Sequence, residues 1–154
     1  MPDQLPHCAT ESVAFVLMGK AGHCSVCILN RLDPKSQDFW DANWLSARVE
    51  LKSAGFRGDC EVTLRAEAFV EFRDQLLSLI EKGKGVARFA PIEPALTIGV
   101  QRDCFETAEA VISLKDNLDA GNELRARFRV DSKCLPMMIE ELNRIVEAFP
   151  VVGR

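Results

Sequence analysis

The sequence predicts an α+β fold, with an antiparallel, twisted β-sheet of about eight strands packed against two amphipathic α-helices. Three observations carry this reading. Residues 44–65 and 107–131 alternate apolar and polar side chains with a period of two, as strands do when they bury one face. Residues 66–82 and 135–149 switch to a helical period, each with one apolar stripe. The order strand, turn, strand, helix occurs twice, over 44–82 and 107–149, and Val49-x-Leu51-Lys52 is echoed by Ile112-x-Leu114-Lys115. A helix with one apolar stripe must bury it, and the sheet is the available surface.

The elements follow in chain order. Residues 1–11 are polar with two prolines and read as an irregular arm. Within 12–30, two apolar, β-branched runs at 13–18 and 24–30 flank Gly19-Lys20-Ala21-Gly22, which reads as a hairpin turn. Residues 31–43 are polar, contain Pro34 and three aspartates, and read as a surface loop anchored by Phe39 and Trp40. In 44–52, Leu45, Ala47, Val49 and Leu51 share one face; Cys60, Val62 and Leu64 do the same in the strand that follows. The first helix places Phe69, Phe72, Leu76, Leu79 and Ile80 on its stripe and stops at Gly83-Lys84-Gly85. Short strands at 86–90 and 95–101 surround Pro91-Ile92-Glu93-Pro94. An alternating pair, 107–115 and 123–131, then leads to the second helix, with Leu135, Met138, Ile139, Leu142, Ile145 and Val146 on its stripe and Pro136 in its first turn.

A length of 154 residues suits a single domain, and 47% hydrophobic with 27% charged residues excludes wholesale disorder. The first residues lack a basic, then apolar, leader, and the longest apolar run, 13–18, is too short to span a bilayer, so the expected location is the cytoplasm, away from membranes. In that compartment the six cysteines (Cys8, Cys24, Cys27, Cys60, Cys104, Cys134) are expected as buried thiols rather than a disulfide framework. A net charge of −4 argues against nucleic acid as a partner.

Catalytic chemistry finds little support, and the expectation is no catalytic residue, no cofactor and no metal. His23-Cys24-Ser25-Val26-Cys27 offers a Cys-x-x-Cys, but in a strand its two cysteines face opposite sides, and no second pair completes four ligands. Both histidines, His7 and His23, lie near the N-terminus, and no nucleophile-elbow, phosphate-loop or dinucleotide glycine pattern occurs. Glu93 sits in a turn between two prolines, where a carboxylate ordinarily accepts backbone N–H groups. Glu140, Glu141 and Glu147 read as a solvated helix face. Arg125, Arg127 and Arg129 share one sheet face, about 7 Å apart; cross-strand pairing with Glu109, Glu50 or Glu61 is favoured over capture of a phosphate or acidic partner. Trp40 and Trp44 flank Asp41 at the entry to the first alternating strand, as interface anchors or buried aromatics.

Asp41-Ala42-Asn43-Trp44-Leu45 ahead of that strand, the helix from Phe69 to Leu79, Phe89-x-Pro91-x-Glu93-Pro94-x-Leu96, Asp131-x-x-x-Leu135 and Phe149-Pro150 together resemble the WapI family of bacterial immunity-type proteins. The likeness runs over about residues 40–150 and leaves the N-terminal hairpin unmatched. It implies a cytoplasmic, non-enzymatic protein that neutralises a cognate toxin by direct binding. The binding candidates are Asp41, Trp44, Glu93, Arg125, Arg127 and Arg129. A small ligand-binding domain or enzyme with a pocket near Glu93, the arginines and the 31–43 loop stays open, as does a structural homodimer.

Overall fold

Alternating residues become two antiparallel meanders in the computed structural model, which describes residues 13–104 and 107–153. The first comprises β1 (Val13–Met18), β2 (Gly22–Arg31), β3 (Trp44–Ser53) and β4 (Phe56–Arg65), with the one-turn helix α1 (Phe39–Ala42) between β2 and β3. After α2 (Ala66–Lys82) comes the second, β5 (Gly85–Phe89), β6 (Leu96–Cys104), β7 (Thr107–Lys115) and β8 (Glu123–Val130), followed by α3 (Cys134–Ala148). The eight expected strands are present and the class is α+β, but they form two four-stranded sheets, β1-β2-β3-β4 and β5-β6-β7-β8. The repeat is therefore longer than the strand pattern suggests: four strands and a helix, twice. The 31–43 loop is shorter than expected, since β2 runs to Arg31 and α1 occupies its end. The N-terminal arm, with His7 and Cys8, lies outside the described residues.

Splitting the strands lets each sheet bury one apolar face in a common core. Leu45, Ala47, Val49 and Leu51 of β3 and Ala108, Ala110, Ile112 and Leu114 of β7 belong to a single buried cluster that also takes in both helix stripes. Phe15 from β1, Phe89 from β5 and Phe69 and Phe72 from α2 meet at its centre, with the Phe69 and Phe89 rings 5.0 Å apart. That aromatic group ties both sheets to one helix.

The helices are exchanged between halves. α2 packs beside β5 and α3 beside β1, and the two helices touch each other. Both target strands are sheet edges, whose outward backbone groups need partners. Gln75 of α2 accepts the Arg88 N–H at 2.8 Å, and Glu141 of α3 accepts the Val16 N–H at 3.2 Å. The Cys134 thiol accepts the Met18 N–H at 3.3 Å and faces the Val16 carbonyl at 3.4 Å. Each helix therefore caps the edge that the other half leaves open.

The β1–β2 turn sits on the second sheet. Gly19 bridges Val130, and the Asp131 N–H reaches the Met18 carbonyl at 3.1 Å. A Cβ on Gly19 would lie 1.9 Å from the Arg129 carbonyl oxygen and 2.8 Å from the Phe128 ring; one on Gly22 would lie 2.9 Å from the other side of that ring. These glycines are needed for close approach. Gly83, at φ 74°, ends α2 in the left-handed conformation, its N–H bonded to the Leu79 carbonyl at 2.9 Å.

At the far end of the first sheet, Arg65 is 1% exposed. Its guanidinium lies over the rings of Phe39, Trp40 and Trp44, at 5.1, 5.2 and 4.7 Å from their centroids. It donates to the carbonyls of Trp40 and Phe39 and to Glu67 Oε1 at 2.6 Å. Buried Asn43 joins the same end to the C-terminal segment: its amide donates to the Phe39 and Val152 carbonyls, and its Oδ1 accepts the Val152 N–H at 2.9 Å.

Candidate functional site

Each sheet turns a polar face outward, and the two faces differ in charge balance. On the first sheet, Arg48 pairs with Asp59 at 3.0 Å, Arg57 with Glu50 at 3.3 Å, and His23 with Glu50 at 3.0 Å. With Lys52 and Glu61, both exposed on that face, three basic side chains meet three carboxylates, counting His23 as neutral. Its charges are largely spent on each other.

The outer face of the second sheet is not balanced. Register places Glu109 opposite Arg129, Val111 opposite Arg127, Ser113 opposite Arg125 and Lys115 opposite Glu123. On the other side, Gly99 lies between Val111 and Arg88. Arg88, Lys115, Arg125, Arg127 and Arg129 thus share this face with Asp103, Glu109 and Glu123, five cations to three carboxylates among the described residues, on a chain whose net charge is −4. The expected cross-strand pairing is only partly made. Arg127 reaches Glu109 at 3.5 Å, and Arg125 reaches Glu123 of its own strand at 3.9 Å, while both stay at least 70% exposed. Exposed pairs at that separation hold little energy. Glu50 and Glu61, expected as partners, belong to the first sheet and do not take part. Arg88 and Lys115 join the three expected arginines because strand pairing aligns them, and register between strands is not a local sequence signal.

The other candidates lie elsewhere. Trp44 is half-buried beneath Arg65, and Asp41 is exposed in α1, its N–H held by Asp38 at 3.1 Å. The first sheet meets the second at the Leu51 end of β3, where Gly58 approaches Leu114 and Leu124. Seven residues of extended strand, about 23 Å, separate Trp44 from that end. Glu93 is exposed in the β5–β6 connection, and its carbonyl accepts the Ala95 N–H at 2.9 Å. Asp41 and Trp44 therefore do not converge with the arginines on one surface.

A cavity of about 510 Å³ opens in a place the sequence did not indicate, between β1, β2 and the start of α3. Its lining includes Val16, Met18, Ser25, Cys27, Met137 and Glu141. Glu141 is half-buried, which corrects its reading as a solvated helix residue; Glu140 and Glu147 are exposed. Burial pushes the Glu141 carboxyl above its ordinary value, against the opposing pull of the Val16 N–H and Arg144. Burial also raises the Cys134 thiol, and nearby Glu141 and Asp131 add to the rise, so it stays protonated at neutral pH.

The Cys-x-x-Cys splits across the sheet as its spacing requires. Cys24 faces the core, its thiol pushed up to about 12 by burial, and Cys27 lies on the opposite face of the sheet, also buried. Cys27 is disulfide-bonded, contrary to the expectation of thiols throughout, whereas Cys24, Cys60 and Cys134 are free. Among the described residues, no group of three or more His, Cys, Asp or Glu is placed to hold a metal ion, and no helix is long and apolar enough to cross a membrane.

A family model described as the immunity protein WapI-like family matches residues 16–150. The match takes in the β1–β2 hairpin that the resemblance in sequence left out. No curated protein matches the chain.

Proposed function

Because the chain belongs to the WapI-like immunity protein family, we propose that it acts in the bacterial cytoplasm, neutralising a cognate toxin by direct binding through the outer face of its second sheet. The observation that supports this surface is its charge. Arg88, Lys115, Arg125, Arg127 and Arg129 outnumber the carboxylates beside them, whereas the first sheet's charges are balanced. Such a face suits an acidic patch on a toxin, steering encounter and fixing orientation.

The test begins with the gene neighbourhood, where a large secreted toxin with a variable C-terminal domain is expected upstream. Titration calorimetry of the purified pair should give a stable complex whose affinity falls with salt. The triple reversal R125E/R127E/R129E should weaken it on the order of a hundredfold, about 1 kcal/mol per exposed charge. Absence of any complex overturns the reading. A triple variant with unchanged affinity moves the contact off this face.

A further inference from the structure

The cavity between β1 and α3 has chemistry of its own, independent of the arginine-rich face. Its volume of about 510 Å³ falls within the range of small-molecule sites. Ala14, Val16 and Met18, alternating along β1, form one apolar wall, and Met137, 63% exposed on the first turn of α3, forms part of the opposite one. Thioether side chains suit flexible alkyl chains, because they are polarisable and adapt their shape.

The polar groups gather at one place. Ser25 is 4% exposed and is the register partner of Val16, whose N–H is held by Glu141. The Ser25 hydroxyl has no hydrogen-bond partner among the described residues, although it lines the cavity. Oε1 of Glu141 is engaged by Val16, and Oε2 has no hydrogen-bond partner among the described residues. Asp131 supplies a second carboxylate at the rim and Lys133 the one ammonium, so the described lining carries two acids to one base. The Cys134 thiol contributes no charge. Arg144 acts on Glu141 from outside the lining; within it, an apolar slot with a buried hydroxyl and one more carboxylate than base is complementary to a chain of methylenes ending in a cation.

We infer that this cavity binds a primary alkylammonium chain, with its methylenes along Val16, Met18 and Met137 and its ammonium at Glu141 and Ser25. That chemistry belongs both to free diamines and to a lysine side chain.

Calorimetry on the full chain near neutral pH, with n-hexylamine, 1-hexanol and hexanoate as probes, tests the inference. Hexylamine should bind about tenfold more tightly than hexanol, and hexanoate not at all. Glu141→Gln keeps an acceptor for the Val16 N–H and should lower hexylamine affinity about tenfold, leaving hexanol unaffected. Met137→Trp, at an exposed position that folding tolerates, should block both by filling the slot. Cadaverine binding better than Nα-acetyl-lysine methylamide would identify a free diamine as the ligand, and the reverse a lysine side chain. Equal binding of hexanoate, an unchanged Glu141→Gln affinity, or no binding of any amine overturns the inference.

Discussion

Replacing Arg65 by methionine probes the most heavily committed side chain in the fold. In the native protein Arg65 is 1% exposed, its guanidinium stacked on three aromatic rings, and it satisfies two carbonyls of the α1 turn as well as Glu67. Methionine fills similar volume but leaves Glu67, whose side chain is only 16% exposed, without its cation. Glu67 Oε2 already has no partner and is fully buried, so the carboxylate has little water to turn to. Removing one member of a buried pair typically costs about 3–5 kcal/mol, far more than the pair's net value, because the other charge stays behind. For a chain of this size that corresponds to roughly 6–20 °C in melting temperature. The reasoning also predicts rescue. R65M/E67Q removes both charges and should recover about half of the loss or more. Thermal and urea melts of wild type, both single variants and the double variant form the cycle. A loss under about 1 kcal/mol for R65M, or a double variant no better than R65M, would refute the claim that the cost is a stranded carboxylate.

Two further predictions concern the contacts between halves. Gly19→Ala places a methyl 1.9 Å from the Arg129 carbonyl oxygen and should cost about 1–3 kcal/mol, toward the upper end because backbone must move. Gly55→Ala, with nothing within 4 Å of its added Cβ, should stay within about 0.5 kcal/mol in the same melts; equal effects would sink the close-approach argument. For Glu141, burial raises the folded-state carboxyl above its unfolded value. As pH rises from the ordinary glutamate range to that raised value, the unfolded chain ionises first and native stability is lost. Wild type should therefore lose stability relative to Glu141→Gln as pH rises above the ordinary glutamate range of about 4; a pH-independent difference in melting temperature would contradict the shift.

What was legible in the sequence is what has a short period. Alternation along 44–65 and 107–131 gave the strands and their inner faces, and the stripes Phe69–Phe72–Leu76–Leu79 and Leu135–Met138–Leu142–Ile145 are the faces buried in the core. Cys24 and Cys27 face opposite sides because three steps along a strand end on the other face. The placement of Arg125, Arg127 and Arg129 together, exposed and along one face, follows from the same rule.

Only the tertiary structure decided which surfaces meet. The sequence order of strands does not state where one sheet ends, and the split falls where α2 is inserted between β4 and β5. Arg65 and Glu141 sit in charged, alternating or amphipathic contexts that look solvated, yet one is covered by the α1 aromatics and the other by an edge strand 125 residues away. The candidate cavity arises from that same long-range contact. Periodicity is a relation among near neighbours, fixed by the pitch of a helix or the pleat of a strand. Docking α3 on β1 and α2 on β5 is a choice among surfaces of similar apolar character, settled by edge N–H groups and fitted side chains that converge only when the halves pack.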